Sequence, residues 1–139
     1  MKWAQAYAAL ENGGMLPQIR FLSAVIGPRG NIVGLPVRKD GPRVMSSATA
    51  SSVLQALRGP VKRGTARSAN SAHALVYGKT GTSSRNEDAL FVGLTQDFVG
   101  SIWLGHDRPA PMPGVHGGGM PAKSFSKLTD FYYVRLAQT

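Results

Sequence analysis

Three apolar, strand-forming runs crowd into residues 74–105 with only short breaks between them, and this stretch limits the fold more than any other. Ala74-Leu75-Val76-Tyr77 leads into Gly78-Lys79-Thr80-Gly81-Thr82, Leu90 to Thr95 follows, and Phe98 to Gly105 completes the set. The break at Gln96-Asp97 is too short for a crossover, so neighbouring runs must pair antiparallel. The flanking segments carry helical periodicity. Trp3, Ala6, Tyr7 and Leu10 predict a first helix with one apolar face, stopped at Asn12-Gly13-Gly14. Ala50, Val53, Leu54 and Leu57 predict a second, capped by Ser46 or Ser47 and ended or kinked at Gly59-Pro60, with Val61 to Ala66 as one more distorted turn. A third begins at Pro121 and is expected to bury Phe125, Leu128, Tyr132 and Leu136. Between the first two helices, Ile19–Ile26 and Ile32–Val37 flank the turn residues Gly27 to Asn31 and predict a satellite hairpin, followed by a basic loop from Arg38 to Arg43. The expected class is α+β: an antiparallel sheet layered with helices, with Phe91, Trp103 and Phe125 in the core. No capping residue precedes Trp3, so the first helix reads as the continuation of an upstream segment.

Composition removes several function classes. The chain of 139 residues contains no cysteine, which excludes a thiolate metal site, a Cys nucleophile and a disulfide scaffold. His73, His106 and His116 share no metal-ligand spacing and read as loop or strand-end residues. No run of apolar residues is long enough to span a bilayer, and the start lacks the pattern of a signal peptide. The net charge of +9 raises a different candidate, a basic module binding anions or nucleic acid, centred on Arg58, Lys62, Arg63 and Arg67. Against it, the other charges are scattered and no aromatic residues interleave the cluster.

Chemistry concentrates at Lys79-Thr80-Gly81-Thr82, where an apolar strand delivers a lysine, two hydroxyls and a glycine in succession. Lys79 offers a fixed positive charge to a carboxylate and a group for proton transfer. Thr80 and Thr82 offer hydroxyl donors. Gly81 removes a side chain, so that a peptide-like ligand lies close to the strand. The Thr82 backbone N–H is a candidate donor to a developing oxyanion. Lys-Thr-Gly is one of the three signatures of penicillin-recognising serine enzymes. Asp88 reads as a loop acid fixing the next turn, and Arg85 and Glu87 as solvated charges.

The resemblance extends along most of the chain. Trp3-Ala4-Gln5-Ala6-Tyr7-Ala8-Ala9-Leu10-Glu11-Asn12-Gly13-Gly14, Arg63-Gly64-Thr65-Ala66, Asp88-Ala89-Leu90-Phe91-Val92-Gly93-Leu94-Thr95, Trp103-Leu104-Gly105-His106-Asp107 and Gly117-Gly118-Gly119-Met120-Pro121-Ala122 follow in the order of corresponding segments in class A (bifunctional) penicillin-binding proteins. The chain resembles the C-terminal part of their transpeptidase domain. His106 departs from the asparagine common at that place. The family's S-x-x-K nucleophile motif and its S-x-N motif both belong upstream of the first helix here, and no S-x-x-K precedes Lys79. Ser124-Phe125-Ser126-Lys127 has the first spelling but follows Lys79, and Ser68-Ala69-Asn70 has the second in the loop feeding the same strand; both are read as chance matches.

The resemblance implies a partial penicillin-binding-protein/β-lactamase-like transpeptidase fold over residues 1–139, lacking the nucleophile-bearing half. It implies acyl transfer on peptidoglycan stem peptides, with β-lactams as alternative ligands. Lys79 and Thr82 would be the catalytic contributors here, and Thr80, Gly81 and Thr82 the substrate-binding ones. It implies no metal or organic cofactor, no nucleic-acid partner, and a periplasmic or cell-surface location with the anchor elsewhere in the parent. The isolated chain is expected to be inactive. Without the two strands the resembled fold has upstream, the Phe98–Gly105 strand would be an open edge, and self-association through it is expected.

Overall fold

The computed structural model describes residues 2–34 and 41–137. The elements run α1 (Lys2–Glu11), β1 (Val25–Ile26), β2 (Ile32–Gly34), α2 (Ser47–Arg63), β3 (Tyr77–Thr82), β4 (Asp88–Leu94), β5 (Val99–Gly105) and α3 (Met120–Leu136). Single 3-10 turns lie at Arg67–Ala69 and Ser84–Asn86. The main sheet has the order β3-β4-β5, antiparallel throughout, and β1 pairs with β2 in a separate two-stranded ribbon. This is the α+β arrangement expected of the three apolar runs.

Residue size explains how α3 seats on the sheet. Gly93 and Gly100 face each other across β4 and β5, with Phe91 opposite Ile102 in the row beside them. These four residues share one sheet face by alternation. A Cβ on Gly93 would lie 2.8 Å from the Phe125 ring, and one on Gly100 would lie 3.0 Å from it. The glycine pair is therefore a seat cut to the shape of Phe125. Phe125 meets Phe91 edge-on at 5.2 Å and Phe98 at 5.6 Å between ring centroids. Val61, Ala66, Ala69, Val76 and Ala122 close the same core. Val92 and Leu94 alternate to the opposite face and are buried there. α1 packs against β4 and β5, and Ala4, Gln5 and Ala8 line a cavity together with Val99 of that second face. The sheet thus carries a helix on each side.

Helix ends follow local chemistry. The Ser46 hydroxyl accepts from the Thr49 N–H at 3.0 Å and caps α2. Lys62 and Arg63 occupy its last turn, where the helix dipole favours cations. The helix does not end at Gly59-Pro60 but runs on to Arg63. Pro60 supplies no donor, yet its carbonyl accepts both the Gly64 and the Ala66 N–H at 3.0 Å, which closes the following turn.

Several other expectations change. Trp3 and Trp103 are 61% and 52% exposed, so neither belongs to the core. Along β5 it is Ile102 that points toward Phe125, and alternation turns Trp103 outward. In α3, Leu128 and Leu136 are exposed, and Thr129 fills the buried position instead, its hydroxyl donating to the Phe125 carbonyl. Residues 19–24 form no strand, and β3 starts at Tyr77 rather than Ala74. The predicted strand residues 35–37 and loop residues 38–40 lie outside the described residues.

Tyr133 donates to Asp97 at 2.6 Å, tying the last turns of α3 to the β4–β5 reversal. Burial and then the Asp97 hydrogen bond raise its pKa above the ordinary 10.0, and burial raises that of Tyr7. A phenol whose pKa is raised on folding stabilises the fold fully below its unfolded value, and this contribution is lost as pH climbs toward the folded value. Chemical denaturation should therefore show stability falling above about pH 10, with a shallower fall in Tyr133→Phe.

Candidate functional site

The Lys79–Thr82 segment lies within β3, which is an edge of the sheet. Lys79 pairs with Val92, Thr80 with Phe91, Gly81 with Leu90 and Thr82 with Ala89. The Ser83 N–H donates to the Asp88 carbonyl at 3.0 Å, which fixes the direction of the strand's polar groups. Alternating residues point their N–H and C=O the same way, so Gly81 faces β4, whereas Thr80 and Thr82 present theirs at the outer edge. Among the described residues that edge has no strand partner. The Thr82 N–H is thus directed outward, beside the Thr80 carbonyl that the Lys79 ammonium covers.

Each side chain of the segment has a definite setting. Lys79 is exposed, and its ammonium donates to the Thr80 carbonyl at 2.9 Å and lies 3.5 Å from the Thr80 hydroxyl. Thr80 Oγ1 is 2.8 Å from Thr65 Oγ1, just beyond α2. Thr82 Oγ1 accepts from the Gly117 N–H at 3.1 Å. A Cβ on Gly81 would meet Leu90 at 3.5 Å, ordinary contact, so the chain's own packing does not demand glycine there. Gly117 is the reverse case. A Cβ there would lie 2.2 Å from the Leu90 carbonyl and 2.5 Å from that of Gly81. On Gly118 it would lie 2.1 Å from the Thr65 carbonyl. The Gly117-Gly118-Gly119 segment is therefore wedged between β3 and the Thr65 loop, and it leads straight into α3.

The neighbouring acid does more than close a turn. Asp88 is the first residue of β4, and its backbone N–H donates to Ser83 Oγ at 2.7 Å. Its carboxylate accepts from the Trp103 indole at 2.9 Å. Gly81, Leu90 and Trp103 form one cross-strand row, so the exposed indole lies on the sheet face of Gly81 and Lys79. Arg85 and Glu87 pair with each other at 2.6 Å.

The two chance spellings are engaged structurally. Ser126 of the S-x-x-K spelling donates to the carbonyl of Asn70 in the S-x-N spelling at 2.7 Å, fastening α3 to the turn at 67–69. Ser84-Arg85-Asn86 also spells S-x-N, in the left-handed turn before β4. Arg58 of the basic cluster donates to the Val76 carbonyl at 2.9 Å and bridges α2 to the segment before β3. No group of three or more metal-ligating side chains occurs among the described residues. Thr65, Gly117 and the Asp88–Trp103 pair are additions to the site. All fall in segments that carry the family resemblance, but only the fold shows what they touch.

A profile of the penicillin binding protein transpeptidase domain matches residues 1–100. Penicillin-binding protein 1A of Clostridium botulinum strain Langeland is 32% identical over 134 residues, covering 96% of this chain and 16% of the relative. The same-named protein of Clostridium perfringens strain 13 is 30% identical over 125 residues, covering 90% and 18%. Among solved structures, the D,D-transpeptidase domain of an Eggerthella lenta peptidoglycan glycosyltransferase superposes with a TM-score of 0.77 at 27% identity, over 95% of this chain and 31% of that one. Penicillin-binding protein 1A of Haemophilus influenzae shares the fold with a TM-score of 0.79 at 22% identity, over 92% of this chain and 25% of that one. The fold, with β3 at the edge of its sheet, is the transpeptidase-domain fold. The chain belongs to the penicillin binding protein transpeptidase domain family, and it spans less than a fifth of the length of these curated relatives.

Proposed function

We propose that this chain supplies the Lys-Thr-Gly-Thr wall of a peptidoglycan D,D-transpeptidase site, the other wall coming from an upstream segment that carries the S-x-x-K serine. The observation that carries this is the open outer edge of β3. There the Thr82 N–H points outward and the Lys79 ammonium reaches the Thr80 carbonyl at 2.9 Å, along the line an extended peptide ending in a carboxylate would take. In this reading Lys79 holds the substrate's negative charge and manages protons. Thr80 and Thr82 hydrogen-bond the terminal carboxylate of a stem peptide or a β-lactam. The Thr82 N–H donates to the developing oxyanion, and Gly81 leaves the ligand its space. The acyl-enzyme forms on the upstream serine and is resolved by an amine of a neighbouring strand.

Loss of the serine alone costs a serine hydrolase about 10⁶ in turnover. The 139 residues by themselves are therefore expected to form no stable adduct with a fluorescent penicillin, whereas a protein joining them to the upstream segment retains the label on gel electrophoresis. A covalent adduct on the 139-residue chain that disappears in Ser124→Ala would sink this reading. The parent's setting in this reading is the periplasmic or outer face of the membrane. Among the described residues no helix is long and apolar enough to cross a bilayer. The free edge of β5 carries the second part of the proposal, self-association of the isolated chain, which sedimentation velocity across a concentration series reads directly.

A further inference from the structure

We infer that Thr65 is a positioning residue that turns the Thr80 hydroxyl into an outward donor, and so selects ligands ending in an oxyanion. This rests on the reading of β3 as a carboxylate site. A hydroxyl has one proton and two lone pairs. The Lys79 ammonium, 3.5 Å from Thr80 Oγ1, carries only protons, so toward it Thr80 acts only as an acceptor. The remaining neighbour is Thr65 Oγ1 at 2.8 Å, where either oxygen could donate. A carboxylate arriving at the outer edge has no proton to give, so Thr80 must donate to it. Thr65 must then donate to Thr80. With such a ligand in place, the Lys79 ammonium at 3.5 Å and the Thr65 hydroxyl both lie on the acceptor side of Thr80, which leaves its proton for the carboxylate. Thr82 accepts the Gly117 N–H on one lone pair and keeps its proton for a ligand. Both hydroxyls of the strand thus have a proton to give a ligand that brings none. That matches a carboxylate, and it matches poorly a terminal carboxamide, which brings N–H groups of its own.

The contact joins residues 15 apart in sequence, and Thr65 is exposed, so substitution there leaves the core intact. The test is NMR on the isotope-labelled 139-residue chain with N-acetyl-D-alanyl-D-alanine and its C-terminal amide as probes. The wild type should hold Thr80 in a single χ1 rotamer and show shifts at Lys79–Thr82 with the acid that exceed those with the amide. In Thr65→Val, and in Thr65→Ala as a second variant, the Thr80 rotamer should average and the acid should bind about 3- to 10-fold more weakly, the range expected for one hydrogen bond. Thr65→Ser, which keeps the hydroxyl, should restore both. The two readings fail separately. A wild-type chain whose β3 does not respond to the acid overturns the carboxylate assignment. A Thr80 rotamer and acid affinity unchanged in Thr65→Val overturn the positioning role, as does a loss that Thr65→Ser does not rescue.

Discussion

Phe125→Ala is expected to lower the unfolding free energy by about 3–5 kcal/mol, the range for truncating a buried aromatic residue. Phe125 has no solvent exposure and belongs to the main core cluster. Its ring meets Phe91 and Phe98, and the paired Gly93 and Gly100 leave the hollow beneath it. The glycines cannot fill that hollow, because they have no side chain to rotate and their strands are held by the ladder. The site therefore collapses poorly, which puts the cost toward the upper end. Urea denaturation followed by circular dichroism measures it; a loss under 1 kcal/mol would show that α3 is not seated as described. Phe125→Leu should recover part of the loss by refilling some of the volume.

The second large effect falls on the site. Gly117→Ala places a methyl carbon against two backbone carbonyls, 2.2 Å from Leu90 O and 2.5 Å from Gly81 O. Backbone oxygens of a paired strand cannot swing aside as a side chain tip does, so either the glycine segment lifts off or β3 moves. Overpacking of this kind costs about 1–3 kcal/mol. The functional loss is larger. Lifting the segment withdraws the Gly117 N–H from Thr82, and a misplacement near 1 Å in a reacting constellation costs about 100-fold. In a protein joining this segment to an S-x-x-K serine, Gly117→Ala should cut the rate of penicillin acylation by about that factor. Gly81→Ala gives the contrast. Its methyl fits the chain at 3.5 Å, so it should fold normally and impair only reactions in which a ligand lies against the strand. Equal thermal stability and equal acylation in Gly117→Ala and wild type would refute the wedge.

The sheet was legible in the sequence because tight turns between apolar runs leave an antiparallel meander as the simple solution. The site strand was legible for a related reason: Lys79-Thr80-Gly81-Thr82 is a contiguous motif, and contiguous motifs survive the loss of three-dimensional information. Facing was harder to read. Ile102-Trp103-Leu104 is apolar at every position, so no alternation in composition tells which residue points inward; the glycine seat and Phe125 settle it in favour of Ile102. The first half of the expected hairpin illustrates another gap. Strand formers at 19–24 have no partner strand in the described residues, and propensity without a ladder does not make a strand. Thr65 and Gly117 stood in recognisable segments, yet their contacts with Thr80 and Thr82 bridge 15 and 35 residues and arise only when the chain folds. From its missing donor Pro60 reads as an end or a kink followed by one more distorted turn, and its carbonyl is what closes that turn.

The indole of Trp103 gives the molecule an optical use. The chain has two tryptophans, and Trp3 is far along the sequence in α1. In a Trp3→Phe background all indole emission arises from a ring fixed to the Asp88 carboxylate, in the same cross-strand row as Gly81. Indole fluorescence responds to nearby charge and water, so the colour and intensity of that one ring become an unlabelled gauge of whatever settles on this face of the sheet.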